Sequence, residues 1–514
     1  MLKQLALTIC TAACLAAPML AQEHQHHAAC GITQEDAHLI TERLLENKAA
    51  LEQGLIVQRD VVYIPVKFHL IGKSDGSGRI SPARVLDQLC ALNADFEPVG
   101  FQFYMKDGMN EIYNNTVYEN HSATQNTIME FQKDNNAINV FIPNNANTSG
   151  QSIGQTLGYY TPAKDWLVLK KSEVSGSNST APHEFGHFFS LPHPFNGWDF
   201  EVWDEATHGN PVTQTVAPNG VTPVELADGS NCNNAGDMIC DTPANYGFGF
   251  GWNNCNFTEE VRDRNGDVLD PEERLFMSYF LNCDRDEYFF SDDQIALMQA
   301  DYQSIQRQRI RTNHVPVLDE ITAVPELVSP INSEIVPGYN AVNLNWDAVE
   351  GAQAYLLQIS RLPTFSNTVM VYDEVVYGTS KVIESLSANT NYFWRVRPFS
   401  AYRACTDFSG AGAFTTGGTV DTRHIDLVEQ FQVSPNPLKS ADLLNVAIKS
   451  KQSFEASFAI YGLSGQLLQN LGAYAIAQGS SVIQLNNQPL PAGAYLLEIR
   501  AQSGREFQRI IVSE

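Results

Sequence analysis

The sequence predicts a multidomain chain in which a mixed α/β domain is followed by two all-β sandwich domains. Three observations carry that prediction. The chain has 514 residues, room for three or four domains at roughly 150 residues each. From Val61 onward, strand-like apolar runs alternate with helical ones as far as Arg309, the pattern of an α/β layer fold. Beyond Pro325 the segments instead alternate at period 2 with turn residues between them.

Residues 22–59 are polar and helix-prone, with Leu39, Ile40, Leu44 and Leu45 at helical spacing among many charges. Residues 62–70 read as a strand. Ser81 as N-cap and Pro82 at the first helical position open a helix over 81–96. Strands follow at 101–104, 138–142 and 167–169, then a helix near 180–190. Residues 195–275 are rich in Gly, Asn, Asp and Pro. So long an irregular stretch needs disulfides or bound metal to hold it. A helix returns over 292–309, and 312–325 reads as a linker. Within 326–417, residues 344–346, 355–359 and 392–397 alternate at period 2. A second linker, 418–427, leads to a last β unit over 428–514.

Lys and Arg number 32 against 58 Asp and Glu, a formal charge of −26. That excludes nucleic acid and anionic membrane surfaces as expected partners, because both require clustered cations. It suits an exported soluble protein and bound Ca²⁺. Lys3 followed by an apolar stretch ending at Ala21 reads as a signal peptide over 1–21. The alternative is a lipoprotein cut before Cys14, where Thr11-Ala12-Ala13 lacks the usual leading Leu. No later run reaches about 18 apolar residues, so no transmembrane segment is expected after signal removal. Of nine cysteines, Cys10 and Cys14 leave with the signal. The odd remainder leaves at least one thiol unpaired in an oxidising compartment. Cys232, Cys240, Cys255 and Cys283 cluster as a local framework whose three possible pairings the spacing does not separate.

The informative string is His183-Glu184-Phe185-Gly186-His187-Phe188-Phe189-Ser190-Leu191-Pro192-His193. On a helix, positions 183 and 187 lie one turn apart on one face. Two imidazoles there can share one zinc ion, and Glu184 stands beside them to reach a bound water. His193 completes the set only if the helix ends and the chain turns back, which Pro192 favours. Three neutral nitrogens and one open position make a catalytic rather than a structural zinc. A thermolysin-like site, whose third ligand is a distant Glu, is the rival that His193 argues against. His24, His26 and His27 could also bind metal but read better as a polar chain start.

This string resembles the metzincin zinc motif, and Leu275-Phe276-Met277-Ser278-Tyr279 resembles the Met-turn that follows it. With the segment from Cys232 to Pro243 between them, residues 30–305 resemble the pappalysin family, nearest its cytophagalysin branch. The resemblance implies an α/β metzincin-like catalytic domain over 60–311, with a mixed twisted sheet and an active-site helix. It implies a secreted zinc metalloendopeptidase acting on extracellular proteins or peptides. Zinc would sit on His183, His187 and His193, with Glu184 as general base. Tyr279 would hydrogen-bond the tetrahedral intermediate, and Met277 would floor the site. Ser190 departs from the family's Gly at the turn, where a left-handed non-Gly residue costs about 1–2 kcal/mol.

Cys30-Gly31 resembles the family's cysteine switch, with Ala29 in place of the usual preceding Arg. It implies a zymogen in which Cys30 takes the open zinc position, a pro-segment over 22–59, and activation at Arg59-Asp60. The alternatives are a disulfide from Cys30 to Cys90 or Cys405, or an unused thiol. The family also implies a Cys255–Cys283 bridge, with Cys232–Cys240 then the second. It implies structural calcium, for which Asp237, Asp241 and the Thr242 carbonyl are the candidate ligands. Asn282 stands about where some relatives carry the acid that selects Arg, so an apolar or mixed preference is at least as well supported. Asp284 substitutes only with a shifted loop register, and Phe280, Phe289 and Phe290 line the pocket or simply pack.

Trp346 after a Pro-rich start, with Tyr392-Phe393-Trp394-Arg395-Val396, resembles a fibronectin type III domain over 326–417. Ser434-Pro435-Asn436-Pro437, Tyr461 to Gly465, Leu490-Pro491-Ala492-Gly493-Ala494-Tyr495 and the final Arg509 to Val512 strand resemble the type IX secretion sorting domain. That resemblance implies type IX secretion machinery as a partner, and export through the periplasm of a Gram-negative bacterium. The product would be secreted or held at the cell surface, the domain being removed in transit. The competing class is a secreted or surface adhesin built on a non-catalytic zinc scaffold, which has no need of Glu184.

Overall fold

The computed structural model describes residues 30–55, 60–124, 126–147, 156–249, 255–280, 282–311, 315–419, 425, 427–440, 442–463, 466–502 and 504–513. The expected signal peptide, His24, His26, His27, the Arg59-Asp60 bond (at Arg59) and the Ser464-Gly465 turn lie outside them.

The first unit opens with α1 (Gln34–Glu52), started by a reciprocal capping box between Thr33 and Asp36. Then come β1 (Val62–Gly72), α2 (Pro82–Asp95), β2 (Phe101–Met105), β3 (Asn110–Tyr113), α3 (Asn115–Asn120), α4 (Thr127–Gln132), β4 (Ile138–Ile142), β5 (Gly158–Thr161) and β6 (Trp166–Leu169). α5 (Thr180–Phe188), α6 (Glu205–His208) and α7 (Asp292–Gln303) complete it. The sheet runs β2-β1-β4-β6-β5, with β3 continuing beside the far end of β1. β2, β1, β4 and β6 are parallel, and β5 is an antiparallel edge. β1 and β4 are buried on both faces, as a covered parallel sheet requires.

The expected strands at 62–70, 101–104, 138–142 and 167–169 are present, and so are the helices. β3 and β5, four residues each, were not expected, because neither carries an apolar run like that of the equally short β6. The helix expected over 292–309 ends at Gln303. Ser304 adopts extended backbone, and a 3-10 turn, Ile305–Ile310, follows. Residues 195–275 are largely irregular, and Cys232–Cys240 and Cys255–Cys283 staple them.

The middle sandwich packs the sheet β11-β10-β13-β14-β8 against β12-β9-β7. Its strands are β7 (Leu327–Ser329), β8 (Glu334–Gly338), β9 (Val342–Trp346), β10 (Ala354–Ser360), β11 (Met370–Val376), β12 (Ser380–Ile383), β13 (Asn391–Phe399) and β14 (Gly412–Thr419). Trp346 and Trp394 meet in its core, and the Trp394 indole donates to Pro330 O at 2.8 Å. The last sandwich is β15 (Val428–Ser434), β16 (Leu438–Lys439), β17 (Leu444–Ser450), β18 (Phe454–Gly462), β19 (Leu467–Ile476), β20 (Gly479–Leu485), β21 (Gly493–Ala501) and β22 (Gly504–Ser513). These form the sheets β15-β17-β20 and β16-β22-β21-β18-β19 around their own apolar core.

Candidate metal centre

α5 is buried along its whole length. His183 and His187 project from one face, a turn apart, and the chain then reverses. Leu191 N donates to Gly186 O and Ser190 N to His187 O, both at 3.0 Å. These are the two hydrogen bonds of a Schellman turn, which needs a left-handed residue after the cap. Ser190 takes that role with φ 69°. Its hydroxyl is buried and donates to Asp301, which also accepts from Asn47 Nδ2 at 3.1 Å and Arg307 Nε at 2.6 Å. The expected departure at Ser190 thus has a physical offset, a charge-assisted hydrogen bond.

The turn delivers His193. The three Nε2 atoms of His183, His187 and His193 stand 3.1 Å from one another. They do not hydrogen-bond, because each ring spends its proton at Nδ1. His183 donates to Phe276 O at 2.7 Å, His187 to Leu191 O at 2.7 Å and His193 to Asp199 Oδ1 at 2.5 Å. Three lone pairs therefore converge without a proton between them, an arrangement a cation satisfies. Burial, and then the neighbouring His193, hold His183 down to about 3 and His187 well below the usual imidazole range.

Cys30 brings its sulfur to the same point, so that Cys30, His183, His187 and His193 form one group able to hold an ion. Cys30 has no disulfide, since Cys90 is bonded to Cys405. That removes the alternative in which Cys30 pairs with either. Its sulfur lies 3.5 Å from Glu184 Oε2, and Gly31 N donates to Gly158 O on β5 at 2.8 Å. Burial, followed by the charge of Glu184, pushes the Cys30 thiol up. Glu184 is itself buried, with Oε1 lacking a hydrogen-bond partner among the described residues, and burial raises its carboxyl to about 8.

Tyr279 is buried with its ring centroid 4.9 Å from that of His193 and 5.9 Å from that of His183. Met277 is fully buried against α5. A Cβ at Gly186 would lie 2.3 Å from its sulfur, so this helix needs Gly where Met277 packs. The carbonyl that orients His183 belongs to Phe276, the residue before Met277.

Among the calcium candidates, burial and then the nearby charge of Asp241 raise the Asp237 carboxyl. Asp241 accepts from Ser291 Oγ at 2.7 Å and Asp293 N at 2.8 Å, serving the start of α7. Asp237 accepts from Ile239 N and from the Thr242 hydroxyl. Beside it lies Glu225, whose Oε2 is buried without a partner among the described residues. Burial and then Asp237 raise Glu225 to about 9. Asp199 and Glu225 were not expected from the sequence. Neither is marked by a sequence pattern, since both lie in irregular chain, Asp199 turning back onto His193 six residues before it.

Residues 432–513 match the family described as the secretion system C-terminal sorting domain, which the chain therefore carries. The chain is 26% identical over 218 residues to an extracellular metalloprotease of Colletotrichum graminicola, covering 36% of this chain and 75% of that protein. It is 23% identical over 253 residues to an extracellular metalloprotease of Verticillium alfalfae, covering 45% and 76%. Among solved structures, a Fn3-like protein from Clostridium thermocellum is 18% identical over 20% of this chain and all of that one, at a TM-score of 0.16. Among the described residues no helix is long and apolar enough to cross a membrane.

Proposed function

We propose that the chain is a secreted zinc-dependent metalloendopeptidase of the pappalysin type, made as a zymogen. The observation that carries this reading is the convergence of three Nε2 atoms with every Nδ1 proton already committed, beside an unpartnered Glu184 oxygen. Nitrogens bound at about 2.0–2.1 Å with tetrahedral angles lie about 3.3–3.4 Å apart, close to the 3.1 Å found. A set of three imidazoles and one thiol suits zinc among the common ions. Secretion is supported by the sorting domain and by the names of the relatives.

Zinc, when bound, supplies Lewis acidity to water and to a peptide carbonyl. Glu184 takes the proton released when water adds to that carbonyl and returns it to the leaving amine as the C–N bond breaks. Tyr279 donates its hydroxyl to the oxyanion that develops there. In the latched chain Cys30 lies against Glu184 and would hold the zinc with the three histidines, blocking both water and the base. Gly31 lies along edge strand β5, where an extended substrate would add its own main chain. α1 holds the latch down: Asn47 bonds Asp301, Arg43 bonds Tyr160, Lys48 bonds Met238 O, and Asp36 accepts from Thr161. For structural calcium the candidates are Asp237, Asp241 and the Thr242 carbonyl, with Glu225 beside Asp237 as a further carboxylate.

The test is zinc analysis with casein digestion, with and without chelator, on the processed protein and on Glu184→Ala. Glu184→Ala is expected to keep its zinc and lose turnover. An unchanged turnover number defeats the assignment.

A further inference from the structure

β2 is the edge of the first sheet opposite β5, and α2 lies on the same side. The middle sandwich covers both. Met105 N at the end of β2 donates to Ala401 O at 2.9 Å. Tyr402 stacks on Tyr104 with centroids 4.6 Å apart and meets Tyr63 edge-on. Above α2, buried Arg397 donates to Asp87 at 2.6 Å and to Ala404 O at 2.7 Å, and Cys405 is bonded to Cys90. Arg79 reaches the other way, to Asp373 O at 2.9 Å and Glu374 at 2.8 Å.

Strand β10 shows what this contact is. Tyr355, Leu357 and Ile359 point into the sandwich's own core, while Ala354 and Leu356 belong to the core of the α/β unit, with Phe399 and Ala404. All seven residues of β10 are buried. A free sandwich would expose Leu356 and Phe399 to water and strand buried Arg397 without its carboxylate, and both are costly. The α/β unit would expose an open sheet edge, a template for aggregation.

α2 in turn carries the approach to α5. Gln88 Oε1 accepts from Ser175 N and Gly176 N, each at 3.2 Å, and Arg84 donates to Ser172 O at 2.9 Å. Gly176 sits so near α2 that a Cβ there would lie 2.8 Å from Asp87 O. The helix bearing His183 and His187 begins four residues later.

We propose that the middle sandwich is an obligate half of the metal-site unit. Its β10–β13 face and the loop of residues 400–406 are a docking surface whose partner is this chain's own β2 edge and α2. That face is therefore not open to an outside ligand, and the sandwich steadies the entry to α5 through α2. The inference stands whatever reaction the site performs.

The test is a specific protease site placed between residues 315 and 320 of the full chain, in a Cys90→Ser, Cys405→Ser background. After cutting, the two halves are expected to elute together at micromolar concentration. Adding Arg397→Ala is expected to release them. Halves that separate on cutting alone, the N-terminal half keeping the melting temperature and metal content of the uncut chain, overturn the proposal. If the serine background does not fold, the disulfide is kept and the cut chain reduced in native buffer. Co-elution after reduction then supports the proposal, and separation overturns it.

Discussion

Replacing Ser190 separates two opposed terms at the turn that delivers His193. In the left-handed conformation a side chain costs about 1–2 kcal/mol, and the serine offsets this with a buried hydrogen bond to the Asp301 carboxylate. Such bonds to a charged group contribute about 1.5–3 kcal/mol. Ser190→Ala keeps the strain and loses the bond, so it is expected to cost about 2 kcal/mol. Ser190→Gly loses the same bond but recovers the strain. Glycine's freer unfolded chain takes back roughly 0.5–1 kcal/mol of that, leaving a net cost of about 1 kcal/mol. The order of stability is therefore Ser, then Gly, then Ala. The assay is urea unfolding of the chelator-treated protein followed by near-UV circular dichroism, so that metal affinity does not enter. A glycine variant more stable than the parent, or an alanine variant equal to it, refutes the reasoning.

Other expectations follow from the same geometry. Asp199→Ala removes the acceptor that fixes the His193 ring and is expected to weaken zinc binding by about 10–100-fold, read by competition with a chromogenic chelator. Cys30→Ala precursor is expected to digest casein before any cleavage of residues 22–59, and a silent precursor counts against the latch. His69 is buried, stacked on Phe141 with Nε2 3.0 Å from Asn139 Oδ1, and burial lowers it to about 4. Because the folded value lies below the unfolded one, about 6.5, its contribution is complete above pH 6.5 and is lost as pH falls toward 4. The loss amounts to about 3 kcal/mol. His69→Gln is expected to flatten that part of the acid-stability profile, and an unchanged profile rules this group out as a source of acid sensitivity.

His183, Glu184, His187 and His193 were readable in the sequence as one cluster because one helix turn and one chain reversal relate them. Local backbone geometry converts their spacing into proximity. Helices with a repeating apolar face and strands made of an apolar run were readable for the same reason, down to the four residues of β6, whereas β3 and β5 hold no such run. Ser190 looked like a defect when read locally. Only the folded chain supplies Asp301, 111 positions away, as the partner of its hydroxyl. Asp199 as the anchor of His193, six residues before it, and Glu225 as the neighbour of Asp237 were unreadable for another reason, being set by loops without periodicity. The Cys90–Cys405 bond, like the Ser190 contact with Asp301, joins partners far apart in the chain, here by 315 residues. The sequence by itself determined the chemistry of the metal donors and the succession of α/β and β units. Tertiary packing decided that Asp301 holds the Ser190 turn and that the middle sandwich closes the first sheet's edge, because contacts between distant segments leave no mark on the spacing of either one.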